Sequence, residues 1–187
     1  MAIRPIVIRG EAVLHEPAAA VTAFDAELQN LIQDLFDTMD AAPGVGLAAP
    51  QIGVGLRVFV FDYPHYDGTP RRGAVVNPEL FISPGEVRDA TEGDDEGCLS
   101  FPGERFALVR SQRVLLRAFD ESGTAFSLEC EGWFARILQH EFDHLNGVMF
   151  IDRLDPLEGH LAAKAQKKRG WGVPGKSWMP GVDHPED

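Results

Sequence analysis

From Asp25 to Asp40 the apolar residues Leu28, Leu31, Ile32, Leu35, Phe36 and Met39 recur at three- and four-residue steps. That spacing predicts a helix with one apolar face, stopped by Pro43-Gly44. The segments Arg57 to Asp62, Ala74 to Val76 and Val114 to Ala118 are dense in β-branched, aliphatic and aromatic residues and read as buried strands. Asp120-Glu121-Ser122-Gly123 has the composition of a turn, which predicts a hairpin between the last of these and Ala125 to Glu129. The period then changes. Trp133, Ile137, His140, Glu141 and His144 fall at helical steps, giving a helix over Trp133 to Leu145 that Gly147 can stop. A shorter amphipathic helix is expected over Leu157 to Lys168. Strands in the middle with helices at both ends, and no regular β-α alternation, indicate an α+β domain. No internal repeat is visible.

Length and composition narrow this further. A chain of 187 residues, 44% of them hydrophobic, can bury one proper core. We expect a single catalytic domain over 1–169, with 170–187 as a tail packed on it or extending from it. Gly170-Trp171-Gly172-Val173-Pro174-Gly175 cannot be helical, and Trp171, Trp178 and Met179 are expected on the domain surface. No stretch reaches the roughly 18 apolar residues that a membrane span needs. The N-terminal run has no long apolar core and no small-residue cleavage site, so the cytoplasm is the expected compartment. The two cysteines, Cys98 and Cys130, then read as free thiols or as metal ligands. A net charge of −12 argues against binding DNA or RNA through a broad basic face. The acidic run Asp89 to Glu96 reads as a solvated loop, with Glu96 the candidate exception.

Candidate chemistry centres on His140-Glu141-Phe142-Asp143-His144. Histidines at i and i+4 stand on one helix face, so both imidazoles can reach one ion. Glu141, beside the first of them, can take a proton from a water and return it to a leaving group. A catalytic site needs a third ligand. Where metzincin proteases carry a third histidine this chain has Phe150, which cannot ligate. Glu158 is available for a zinc-endopeptidase arrangement. Upstream, Cys98 in Glu96-Gly97-Cys98-Leu99-Ser100 offers a thiolate, although a cysteine taken alone is more often a small buried hydrophobe than a ligand.

Three separated motifs resemble the peptide deformylase family. They are Gly44-Val45-Gly46-Leu47-Ala48-Ala49-Pro50-Gln51, then Glu96-Gly97-Cys98-Leu99-Ser100, then Gln139-His140-Glu141-Phe142-Asp143-His144-Leu145. In order and approximate spacing they match the family from about Pro5 to Arg153. The resemblance implies mostly antiparallel strands packed around the motif-bearing helix. It also implies removal of the formyl group from the formyl-methionine of newly made polypeptides, with release of formate. Cys98, His140 and His144 would hold one divalent metal, Fe²⁺ natively, with Zn²⁺, Ni²⁺ or Co²⁺ able to occupy the site. Glu141 would be the acid–base, and the Gln51 amide and the Leu99 backbone N–H would receive the developing oxyanion. Gly44 and Gly46 would let substrate backbone approach closely. Val45, Gly46, Trp133, Ile137 and the stem of Arg136 would line the methionine pocket, Arg136 departing from the apolar residue often found there. Arg105 would reach the downstream peptide, and Glu96 with Arg110 would brace the Cys98 loop. The implied partners are the formylated nascent peptide and the ribosome, although the chain departs from the long basic C-terminal helix of many bacterial members, only Lys164, Lys167, Lys168 and Arg169 remaining. The Gly/Trp/Pro-rich tail is similar to tails of some high-GC Gram-positive members.

Overall fold

A computed structural model gives the fold, describing residues 2–63, 72–85 and 88–185. The expected tail thus loses its last two positions to the undescribed residues. The first long helix, α1 (Ala26–Ala41), starts at Asp25, whose carboxylate accepts from the backbone N–H groups of Glu27 and Leu28. Its buried face carries Leu28, Ile32, Leu35 and Met39, as the periodicity implies.

The main sheet has five strands: β2 (Gly46–Ala48), β3 (Val58–Asp62), β4 (Arg72–Ile82), β7 (Arg113–Phe119) and β8 (Ala125–Glu131). They run in the order β2-β3-β4-β7-β8, every neighbouring pair antiparallel. The hairpin turning at Asp120 to Gly123 joins β7 to β8. The middle strand β4 is much longer than Ala74 to Val76. Its first half pairs with β3 and its second half with β7, with a register shift between Val76 and Glu79. Asn77 and Pro78 sit at that shift, Asn77 at φ 50°. The Asn77 side-chain carbonyl accepts from Val21 N–H at 2.8 Å, which holds the bend.

A separate hairpin, β5 (Asp95–Cys98) with β6 (Phe101–Ala107), stands apart from this sheet. Only Leu99 and Ser100 separate its strands, so Cys98 lies at a tight turn. The motif-bearing helix, α2 (Gly132–Leu145), runs between the two β layers with eleven of its residues buried. It ends at Asn146, and Gly147 takes φ 71°. A Cβ at Gly147 would lie 2.7 Å from the backbone of His15, so only glycine fits that stop. The fold is therefore α+β, with antiparallel strands packed around the helix that carries His-Glu-x-x-His.

Two expectations need correction. The third helix, α3 (Pro156–Arg169), is as long as α2 and has no apolar face: only Ala162 is buried, while Leu157 and Leu161 are exposed. A helix this polar rests on its Asp155 cap, its αL stop at Gly170 and a few contacts with β6 rather than on an apolar stripe. The tail also differs. Ser177–Trp178 forms a short strand, β9, antiparallel to β1 (Ile6–Val7), and Trp178 lies in the core rather than on the surface. Trp171 is half-buried, edge-on against Phe101 with ring centres 4.7 Å apart. No helix among the described residues is long and apolar enough to cross a membrane.

Candidate metal centre

Helix α2 brings His140 and His144 to one face with ring centres 5.0 Å apart, and the β5–β6 turn brings Cys98 to meet them. The ligating atoms of Cys98, His140 and His144 all lie within 4.8 Å of one another. Cys98 Sγ stands 3.3 Å from His144 Nε2. Atoms each ~2.0–2.3 Å from one tetrahedral ion stand roughly 3.3–3.7 Å apart, so this donor set fits a divalent metal after small closing movements. Among the described residues no other group of three such side chains gathers in this way. Glu158 lies on α3, outside the group. Phe150 is buried with its ring centre 5.9 Å from that of His140, so it forms an apolar wall behind a ligand.

The surrounding charges fix the imidazoles. His140 Nδ1 is 2.6 Å from Glu96 Oε1. Burial, the strongest influence on Glu96, favours its neutral form. The contacts with His140 and Arg110 outweigh it, so the carboxyl is held below the usual carboxylate range. Ionised Glu96 can only accept, so His140 donates through Nδ1 and turns Nε2 toward Cys98. His140 is itself raised well above its ordinary value, the effects of Cys98 and Glu96 overcoming burial. His144 is lowered well below its ordinary value by burial and by the neighbouring His140, which keeps it a neutral imidazole able to ligate. Its Nδ1 is buried without a hydrogen-bond partner among the described residues.

Glu96 and Arg110 are both buried and bonded twice, Arg110 Nη2 to Oε1 at 2.7 Å and Nε to Oε2 at 3.1 Å. Arg110 Nη1 also donates to Asp143 Oδ2 at 2.6 Å, and Arg153 bonds both oxygens of that carboxylate. Arg136 is buried, its guanidinium donating to Glu96 Oε2 at 3.0 Å, Asp94 Oδ1 at 3.1 Å and the Leu108 carbonyl at 2.7 Å. Asp94 also takes two bonds from Arg88 and is buried, so the acidic run is not a uniformly solvated loop. Its carboxyl is held below the usual range, chiefly by Arg88. Asp94, Asp143 and Arg153 are the residues that sequence reasoning overlooked. Each is a charged side chain bonded to several partners, near and far in sequence, that no helical or strand periodicity brings together.

The Glu141 carboxylate is buried beside the ligands, and its Oε2 has no hydrogen-bond partner among the described residues. Burial pushes its carboxyl up to about 7. Gln51 sits in a 3-10 turn after β2. Its Oε1 accepts from Ala48 N–H at 2.8 Å, which fixes the amide and leaves Nε2 pointing at Cys98 Sγ, 3.7 Å away. Leu99 follows Cys98 in the turn. The two glycines leave room for neighbouring side chains as well as lining the cleft. A Cβ on Gly46 would overlap the Glu141 carboxylate, lying 2.8 Å from its Cδ, and one on Gly44 would lie 2.8 Å from Leu99 Cδ1. A cleft of about 530 Å³ opens onto His140 and Glu141, and Val45, Gly46, Arg105, Trp133, Arg136 and Ile137 all line it.

The sequence model of the family described as Polypeptide deformylase matches residues 3–160. A peptide deformylase of Rhodococcus opacus is 50% identical over 187 residues, covering 97% of this chain and 95% of the relative. One from Tropheryma whipplei is 47% identical over 190 residues, covering 95% and 94%. A crystal structure of a peptide deformylase from Legionella pneumophila superimposes with a TM-score of 0.78 at 44% identity, covering 89% of this chain and 95% of that one. Match and fold agree over most of the chain, including all three motifs around the Cys98, His140 and His144 cluster, and on that ground the chain belongs to the peptide deformylase family of metal-dependent hydrolases.

Proposed function

We propose that this chain performs the family's reaction, hydrolysis of the formyl group from an N-terminal formyl-methionine, at the centre formed by Cys98, His140 and His144. The observation that carries the reading is the convergence of the Cys98 sulfur and two imidazoles beside a buried Glu141 carboxyl oxygen that has no hydrogen-bond partner among the described residues. Cys98, His140 and His144 would hold a divalent ion, Fe²⁺ by preference, with Zn²⁺, Ni²⁺ and Co²⁺ as substitutes. Such an ion lowers the pKa of a water toward ~7 and polarises a carbonyl.

The protein's own groups do the rest. Glu141 takes the proton of the attacking water as it adds to the formyl carbon. The C–N bond then breaks, and Glu141 passes that proton to the departing amine nitrogen; formate and a free α-amine result. General acid–base help of this kind is worth ~10²–10⁴-fold. The Gln51 amide and the Leu99 backbone N–H receive the negative charge that develops on the formyl oxygen. Gln51 suits this because its orientation is already fixed by Ala48. Val45, Trp133, Ile137 and the stem of Arg136 form an apolar slot for the methionine side chain, and Arg105 at the rim faces the peptide beyond it. Glu96, braced by Arg110, keeps His140 in the ligating orientation. The substrate is a nascent formylated polypeptide, which a bacterial enzyme meets in the cytoplasm. The basic end of α3, Lys164 to Arg169, is the segment suited to neutralising ribosomal phosphate. Formate release from formyl-Met peptides, measured on the metal-loaded protein, tests the reading.

A further inference from the structure

The C-terminal segment lies beyond residue 160, where the family match ends, yet it reaches the loop that carries Cys98. β9 pairs with β1 at Ile6↔Trp178 and Val7↔Ser177, and Ile8 N–H donates to the Lys176 carbonyl at 3.0 Å. This seats Trp178 in the same apolar cluster as Ile6, Leu47 and Ile52. The indole Nε1–H then donates to the Leu99 carbonyl at 2.8 Å, a contact across 79 positions of sequence. An indole has one donor and no acceptor, and a buried tryptophan needs a partner for it. Here the partner is one residue past Cys98.

The neighbouring groups of the turn are held as well. Ser100 N–H donates to Cys98 Sγ at 3.4 Å, and the Ser100 carbonyl accepts from Arg9 N–H at 3.0 Å. Arg9 is tied in turn to the tail, its carbonyl accepting from Gly172 N–H at 2.9 Å. Peptide groups are planar, so a turn of two residues has few torsions to spare. The Leu99–Ser100 plane is held at both its carbonyl, by Trp178, and its N–H, by Cys98 Sγ, and the plane that carries Leu99 N–H adjoins it through the Leu99 α-carbon. We propose that Trp178 is a positioning residue for deformylation: its indole N–H holds the Leu99 carbonyl and so aims the Leu99 backbone N–H at the formyl oxygen. The inference rests on the reading of Leu99 given above.

The test is Trp178→Phe, which keeps an aromatic ring and removes the donor. Parent and variant are loaded with cobalt(II). Turnover of a formyl-Met peptide is expressed per bound cobalt, kcat and KM are separated, and visible absorption per cobalt is recorded. Loss of an oxyanion donor costs about 10²–10³-fold in kcat, and a donor present but misaimed costs less, about tenfold. We expect kcat per cobalt to fall about tenfold, KM to stay within about twofold and the absorption per cobalt to remain unchanged. A merely structural role lowers bound cobalt and activity together and leaves kcat per cobalt within about twofold, which overturns the proposal. A changed cobalt spectrum, or a rise in KM matching the fall in kcat, overturns it too. Should the phenylalanine variant not fold, benzothienylalanine at 178, which keeps the bicyclic shape and exchanges N–H for sulfur, supports the same comparison. Failure of the underlying reading is separately visible. A parent chain that releases no formate, or a Gln51→Leu variant with unchanged kcat, sinks that reading whatever Trp178 does.

Discussion

Gly46 and Glu141 share one small volume: the space a side chain would take at Gly46 is filled by the Glu141 carboxylate, whose Cδ lies 2.8 Å from where a Cβ would stand. Gly46 begins β2 at the edge of the main sheet, and Glu141 lies in the C-terminal half of α2. The absent side chain lets strand and helix close on each other while the carboxylate remains beside the candidate ligands.

Gly46→Ala must therefore displace Glu141 or push β2 away. We expect kcat to fall by about 10²-fold or more, the scale of lost general acid–base help. The metal content should be unchanged. Steady-state formate release alongside metal analysis checks this, and an alanine variant with parental kcat would show that the carboxylate position is not critical.

Gln51→Leu removes a donor whose orientation Ala48 fixes. The expected loss is about 10²–10³-fold in kcat, with KM changed far less, because the charge it meets exists chiefly in the transition state. Separate determination of kcat and KM decides the matter.

Much of this was legible in the sequence, and the reasons differ by element. Helix α1, the β7–β8 hairpin and α2 follow from local periodicity and turn chemistry, which packing did not override. The convergence of Cys98 on His140 and His144 was reached through the resemblance, because nothing local brings together positions 98 and 140. The length of β4 was hidden by Asn77-Pro78, which looks like a strand end. Pairing with β3 on one side and β7 on the other carries the strand through the bend. Burial of Asp94 and Trp178 was invisible for a related reason: Arg136 and the Leu99 carbonyl, which cover them, are brought there only by the tertiary fold. That Gly44 and Gly46 also make room for Leu99 and Glu141 was not legible, because those neighbours come from other elements.

Arg110 joins two buried carboxylates, Glu96 and Asp143. Arg110→Leu leaves each carboxylate with one arginine, Arg136 or Arg153, so the expected loss is about 2 kcal/mol, below the ~3–5 kcal/mol of a fully broken buried pair. Urea unfolding of the metal-loaded protein should show that loss. A change under about 1 kcal/mol would place Arg110 with surface ion pairs, whose removal is of little consequence.

Asp94 has a carboxyl held below the usual range, first by Arg88. A group with a depressed folded pKa stabilises the fold above its unfolded value, about 3.9, and loses that contribution as the pH falls below it. Asp94→Asn removes the ionising group. The stability difference between parent and Asp94→Asn, measured on metal-free protein, should be larger near about pH 6 than near about pH 3.5. A difference independent of pH would contradict the assignment.

The central claim is that Glu141, beside Cys98, His140 and His144, moves the proton in hydrolysis of a formamide. Its most direct test is anaerobic formate release from a formyl-Met-Ala peptide by iron-supplied parent and Glu141→Ala protein, with bound metal quantified in both. We expect the parent to release formate, and the variant to hold the metal while losing turnover by at least about 10²-fold. A parent that releases no formate, or a metal-loaded Glu141→Ala variant that releases it at the parental rate, would contradict the account.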